Sequence, residues 1–351
     1  MIHQLRQWLF FFSLAGFLGA CSTEIDLNAD PKEIYALYGV LDPGASEQFI
    51  RISTGFLTES NALEYARANN LSARGLTVTL TGGGKVYTAV ETDSVLKNPE
   101  NGTFYPYTFL YRIDTEGANA LKEATRYELL VTRPDDSEFF LRSSTFIPES
   151  ALFPSPRLNN GPGQTRCLSE VSLDKLYQVH FVAGEGAVAH ELRAFLDYKE
   201  NGVGKRLSFG PTNLFSGNFR CSVPGAICYQ FGEKEILSVF NTRINRQPGS
   251  VYSYAVTPGT QCGLVADLPQ ALWFELTSVD LMLQNYITAN DPQFTDLNTV
   301  RPEYTNIESN ALAFGVLGSI ARATAIARLS ACAEFLLGLN GTPRPATPCE
   351  F

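Results

Sequence analysis

The residues able to carry a reaction are few. Nucleophilic catalysis by serine needs a histidine base held by a third group. Beyond His3 the chain offers only His180 and His190, in "HFVAGEGAVAH". That stretch reads as strand, turn, strand. It can bring the two rings together across a hairpin, but histidines on neighbouring strands are more often plain core or surface residues. Asp135-Asp136 supplies two carboxylates, whereas glycoside hydrolysis uses two that face each other across a cleft. Adjacent acids after Pro134 belong to a turn. "TGGGK", Thr81 to Lys85, has the glycines of a phosphate loop without the G-x-x-x-x-G-K-[ST] spacing, and Val86 follows the lysine. It reads as a hairpin turn. No EF-hand spacing occurs. The expectation is a protein that is not an enzyme, with no cofactor and no metal.

The seven cysteines divide the chain. Cys21 stands alone near the start. Cys167, Cys221, Cys228, Cys262, Cys332 and Cys349 all lie in the second half. Their even number suits disulfides in an oxidising compartment. Spacing does not choose the pairing, although "CSVPGAIC" allows Cys221 and Cys228 to close a short loop. A zinc site lacks both a C-x-x-C pair and enough histidines.

Binding chemistry is better represented. "NGTFYPYTFLYR" gathers Phe104, Tyr105, Tyr107, Phe109 and Tyr111 around Pro106. Flat rings on a loop stack on sugars or anchor a protein contact, which makes Phe104, Tyr105 and Tyr107 the candidate binding aromatics. Tyr107, Phe109 and Tyr111 alternate as strand residues do, so packing inside the fold is favoured for half of the run. Asp93-Ser94-Val95 fits an O-glycosylation acceptor pattern at Ser94. The net charge of −9 is a poor match for a phosphate backbone, so no nucleic-acid partner is expected.

The elements that position these residues are mostly strands. From Ile34 to Pro148 apolar residues alternate with polar ones between turn signals, the mark of half-buried antiparallel strands. "IYALYGVL" and "EQFIRIS" flank "DPGAS", and "LTVTLTGGGKVYTAV" is a hairpin. "LTESNALEYARANN" is a short helix capped by Asn61 or Ser60. Tyr127, in "RYELLV", resembles the tyrosine corner of immunoglobulin-like sandwiches. Residues 149–166, rich in Pro, Gly, Asn and Ser, form a linker. Beyond it Leu192, Ala194, Leu196 and Tyr198 alternate against charge, and "VDLMLQNYITAND" is helical. "NALAFGVLGSIARATAIARL" suits strand or alanine-rich helix; Gly315 and Gly318 favour strand.

The first residues supply the address. A cation at Arg6 and the uncharged run Trp8 to Ala20 have the length of a signal-peptide core, too short to span a bilayer. Leu18-Gly19-Ala20-Cys21 then forms a lipobox, which makes Cys21 the lipid-bearing residue. Acyl chains there, at about 0.8 kcal/mol per buried methylene, anchor a soluble body stably. Ser22 favours outer-membrane sorting, and Glu24 and Asp26 resemble an acidic signal for export to the surface. The expected organisation is a signal peptide (1–20), a lipidated tether (21–33), an immunoglobulin-like β-sandwich (34–148), the linker (149–166) and a second β-rich, cysteine-containing domain with a few short helices (167–351). The fold class is mainly β.

Three stretches, "CSTEIDL", "YALYGVLDPGASEQFIRISTGFLTESNAL" and "YTNIESNALAFGVLGS", together resemble the Bacteroidota outer-membrane lipoproteins catalogued as domain of unknown function 4249. This chain has Ser309-Asn310 where that family usually has glycines. The resemblance implies the sandwich, the second β-rich domain and a setting beside TonB-dependent receptors; it implies no chemistry. The expectation is therefore a non-enzymatic, lipid-anchored outer-membrane protein at the cell surface, with the periplasmic face as the alternative. It serves as an accessory or ligand-binding component of a TonB-dependent β-barrel transporter. An extracellular hydrolase acting on glycan or peptide, or a structural or adhesive envelope protein, is the alternative.

Overall fold

The computed structural model describes residues 34–55, 61–93, 95–96, 105–134, 139–155, 166–167, 177–209, 226–231, 249–254, 272–291 and 304–327, with a few single positions beyond. The fold is mainly β. Its strands are β1 (Ile34–Leu41), β2 (Glu47–Thr54), β3 (Thr77–Gly82), β4 (Lys85–Thr88), β5 (Val90–Glu91), β6 (Val95–Leu96), β7 (Tyr107–Thr108), β8 (Tyr111–Asp114), β9 (Thr125–Thr132) and β10 (Phe139–Ile147). There follow β11 (Leu152–Ser155), β12 (Arg166–Cys167), β13 (Tyr177–Val182), β14 (Ala189–Glu200), β15 (Val203–Phe209), β16 (Ile227–Phe231), β17 (Tyr252–Tyr254), β18 (Leu272–Val279), β19 (Ile307–Ser309) and β20 (Leu312–Ala327). The helices are α1 (Ala62–Ala68) and α2 (Leu281–Asn290).

Alternation sets which face each strand buries. Leu37 and Leu41 of β1 and Ile50 and Ile52 of β2 point into a core met from the other side by Val78, Leu80, Tyr127, Leu129, Val131 and Leu141. The second of these sheets runs β19-β10-β9-β3-β4. Gln48 shares the inner face of β2 and is satisfied there: its side chain donates to Thr115 Oγ1 (3.0 Å) and accepts from Asp42 N–H (2.8 Å). The β3-β4 hairpin turns on Gly83 and Gly84, both at positive φ, so the turn reading of "TGGGK" holds. Tyr127 is fully buried and its hydroxyl accepts from Lys122 N–H at 2.8 Å. Asn61 caps α1 by accepting from Leu63 N–H (3.0 Å).

The long strand β20 joins two cores. Its first half pairs in parallel with β1, from Ile34 against Leu312 to Leu41 against Ser319. Its second half pairs antiparallel with β18, from Val279 against Ile320 to Leu272 against Ala327. One ten-stranded sheet results, in the order β15-β14-β18-β20-β1-β2-β8-β5, with β12 beside β20 and β17 beside β14. Gly315 sits at φ +119°, where an added Cβ would lie 1.9 Å from the Leu37 carbonyl oxygen. At Gly318 it would lie 2.6 Å from Leu283 Cβ, because α2 rests on the outer face of β20. Both glycines serve close backbone approach.

The organisation accordingly differs from two beads on a linker. Segments 34–148 and 167–351 share the ten-stranded sheet, and β19 pairs with β10. Within 149–166, Leu152–Ser155 forms β11, which pairs with β13, and Phe153 is fully buried. Two apolar residues between the prolines outweigh the turn-forming composition around them. The second core packs Leu192, Ala194 and Leu196 of β14 and Phe274 and Leu276 of β18 against Phe153, Val179 and Phe181 of the sheet β11-β13-β16.

A buried polar knot ties the two halves together. Asp280 caps α2 by accepting from Met282 and Leu283 N–H, and also accepts from Thr145 Oγ1 (2.7 Å) and Ser319 N–H (3.0 Å). Ser319 Oγ in turn donates to the Phe146 carbonyl (2.7 Å). Every lone pair used here replaces water lost on burial.

Candidate functional site

The aromatic run divides between core and surface. Tyr111 is buried; its hydroxyl donates to the Ala73 carbonyl (2.9 Å) and accepts from Leu76 N–H (3.1 Å), and burial raises its pKa. Phe109 is half-buried beneath the Arg74 guanidinium, 3.8 Å from its centroid. Arg74 also pairs with Glu91 at 2.7 Å. Burial opposes ionisation of Glu91, but the Gly75 N–H and the Arg74 pair outweigh it and hold the carboxyl below its usual range. Tyr105 and Tyr107 remain outside the core, ring edge to ring face, 6.3 Å apart. Phe104 lies outside the described residues, as does Ser94.

Tyr107 is 42% exposed and stands opposite Leu96, 55% exposed, across the β6-β7 pair, and the two form an apolar rim; Val95 of β6 and Leu63 of α1 are exposed as well. Strand β6 pairs with β7, Val95 against Thr108 and Leu96 against Tyr107. The Tyr105 N–H donates to the Ala66 carbonyl (3.0 Å), fastening this hairpin to α1. The rim lies at the end of the N-terminal core where β1 begins. Gly55 N–H donates to the Ile34 carbonyl (2.7 Å), Ser53 bridges Ser72, and Ser72 Oγ meets Thr108 Oγ1 at 3.1 Å.

A second feature is an open recess of about 630 Å³ on the outer face of β9, β10 and β19, walled by α2 and the turn into β19. Arg126 and Glu128 come from β9, Arg142 and Ser144 from β10, Glu308 from β19 and Met282 from α2. Asn306 fixes the wall: its side chain donates to the Ser144 and Leu317 carbonyls and accepts from Leu317 N–H. Ser309 Oγ donates to the Phe140 carbonyl (3.0 Å) and accepts from Ala311 N–H (2.9 Å), turning the chain from β19 into β20. Sequence reading missed this recess. Its residues come from three distant segments, and the visible signal was only alternating charge on strands whose partners were unknown.

The histidines are not on one hairpin. His180 lies in the three-stranded sheet and His190 in the ten-stranded one, and the chain crosses between them at 183–188. Both are buried, and burial depresses both pKa values, that of His190 to about 4. His190 Nδ1 meets Ser278 Oγ at 2.9 Å, the contact of a nucleophile and its base. Ser278 is fully buried and His190 only 3% exposed, so no substrate reaches that pair. Among the described residues no three of His, Cys, Asp and Glu converge as metal ligands. Cys228 is disulfide-bonded. The side chains of Cys167, Cys221, Cys262, Cys332 and Cys349 lie outside the described residues, as do Cys21 and Asp135-Asp136. Among the described residues no helix is long and apolar enough to cross a membrane.

No family model matches the chain, and no curated protein matches it. Among solved structures, one from work on host cell surface retention of a 1.5-MDa bacterial ice-binding adhesin is 7% identical, covering 86% of this chain and 66% of that one. The TM-score is 0.17, too low to bear on fold or function.

Proposed function

We propose that this protein is a lipid-anchored outer-membrane surface protein, non-enzymatic, that works as an accessory or ligand-binding component with a TonB-dependent transporter. Several sequence features support the reading: the lipobox ending at Cys21, the acids that follow it, and the likeness to a family of outer-membrane lipoproteins. The observation that carries it is the apolar rim of Leu96 and Tyr107, exposed side by side on the β6-β7 pair at the end where β1 begins. From Cys21 to Ile34 the chain reaches at most about 45 Å. The rim is at the end where the chain from Cys21 enters the described body, and a tether of that length leaves it within reach of a barrel in the same membrane. Exposed apolar side chains gathered in this way mark interaction surfaces. The hydrolase reading is weaker, because the Ser278–His190 pair is sealed from solvent.

The test is to tag the C-terminus, extract the protein from its native outer membrane in mild detergent, and identify what accompanies it by mass spectrometry. A TonB-dependent barrel in stoichiometric amount is the expected result. Recovery of the protein alone overturns the stable-partner reading.

A further inference from the structure

The two buried histidines differ in how their ring nitrogens are met. His190 Nδ1 meets Ser278 Oγ. His180 is 4% exposed, and its Nε2 lies 3.0 Å from Gln178 Oε1. An amide oxygen only accepts, so Nε2 carries the ring proton and Nδ1 is left with a lone pair. Burial lowers the pKa of the ring and so holds it neutral. Nδ1 is itself buried and has no hydrogen-bond partner. A buried acceptor without a donor costs stability, and folded proteins keep few of them.

The sheet register gives this ring a cysteine as its neighbour. His180 stands directly opposite Cys228 across the antiparallel β13-β16 pair, so both side chains leave the sheet on one face. Side chains paired in this way have Cβ atoms about 5 Å apart. The face is the one turned away from Val179 and Phe181, which pack in the second core. Cys228 is 6% exposed and disulfide-bonded. In a disulfide its sulfur has no proton to give. Reduction puts an S–H, a weak donor, on the residue opposite a buried nitrogen that lacks one.

We propose that the Cys228 disulfide is a redox-labile bond opened by thiol–disulfide exchange, with His180 as the positioning residue that accepts a hydrogen bond from the released thiol. In the exchange the thiolate of an incoming thiol attacks the sulfur bonded to Cys228. The S–S bond breaks, Cys228 leaves with the electron pair, and the proton given up by the incoming thiol ends on the Cys228 sulfur, directed at Nδ1. The incoming thiol is oxidised to a mixed disulfide and Cys228 is reduced. The oxidised protein carries the cost of an unmet nitrogen and the reduced protein does not, so less reductant is needed to open the bond. The proposal rests on neither the lipid anchor nor the transporter, so its failure leaves the reading above standing.

The test is an equilibrium redox titration of the full chain, purified in detergent, in mixtures of reduced and oxidised dithiothreitol, followed by alkylation and mass-spectrometric quantification of the peptide that contains Cys228. His180→Leu keeps an apolar body of similar size and removes the lone pair. It needs about ten-fold more reduced dithiothreitol than the parent for half-reduction, the worth of one hydrogen bond. Val179→Ala is the control, because it loosens the same strand from the opposite face, and a looser sheet is reduced at the same ratio or more readily. Loss of fold in His180→Leu acts in that direction too and so does not imitate the expected shift. A midpoint for His180→Leu equal to or below that of the parent, or the same rise in Val179→Ala, overturns the proposal.

Discussion

The two cores that share β20 are closed by different means. The N-terminal core is completed by a distant piece of chain: Leu317 and Ala313 of β20 pack beside Leu37 and Leu41 of β1. Its buried polar groups, such as Gln48 and Tyr127, are uncharged and hydrogen-bonded. The second core buries one titratable ring, His190, edge to face with Phe181, which itself meets Phe153; His180 is buried on the other face of β13. One core therefore depends on backbone fit at a single interface, and the other on a protonation state. The first should respond to geometry and the second to acid.

The largest effect is expected at Gly315. In Gly315→Ala the new Cβ falls 1.9 Å from the Leu37 carbonyl oxygen at a φ of +119°. Loss of at least about 3 kcal/mol in denaturant unfolding is expected, from backbone strain together with a broken strand pairing. Gly204→Ala, where nothing lies within 4 Å of the added atom, is the control. Hydrogen exchange then sharpens the comparison. If β20 couples the cores, β9 and β18 lose protection together. Loss confined to β1, β2 and β9 would mean that its halves act separately.

Acid is the next lever. The unfolded His190 takes up a proton near its ordinary pKa of about 6.5, but the folded ring does so only near 4. Between those values the unfolded state holds more protons, so stability falls as pH falls through that window, by on the order of 3 kcal/mol. Residues 34–148 contain no histidine, so this loss belongs to the second core. Unfolding free energies measured from pH 7 to pH 4 should show the slope in the parent and a shallower one in His190→Gln. Equal slopes would remove His190 from the account.

Local structure was legible where a short stretch decides it. Two positive-φ glycines made the β3-β4 hairpin, Asn61 the cap of α1, and alternation placed Leu192, Ala194, Leu196 and Tyr198 on one buried face. Gly315 and Gly318 pointed to strand for β20 because each sits where backbone or helix approaches closely. What alternation does not encode is the partner of a strand. The parallel match of β1 with β20 joins the two ends of the described chain, and nothing local marks it. The recess was hidden for the same reason: Glu308 is one charge among many until β19 is laid beside β10. The Tyr107 ring was found, but the rim around it depends on α1 and the β6-β7 pairing.

Substitution on the rim should alter stability least, since Leu96 is 55% exposed, and should alter association most. The direct measurement is photo-crosslinking in intact cells from a probe placed at Leu96, compared with the same probe at Val203. Val203 is 63% exposed and begins the strand at the opposite edge of the ten-stranded sheet. The account predicts a strong adduct with an outer-membrane barrel from Leu96 and none from Val203. No barrel adduct from Leu96, or equal adducts from both positions, would contradict it.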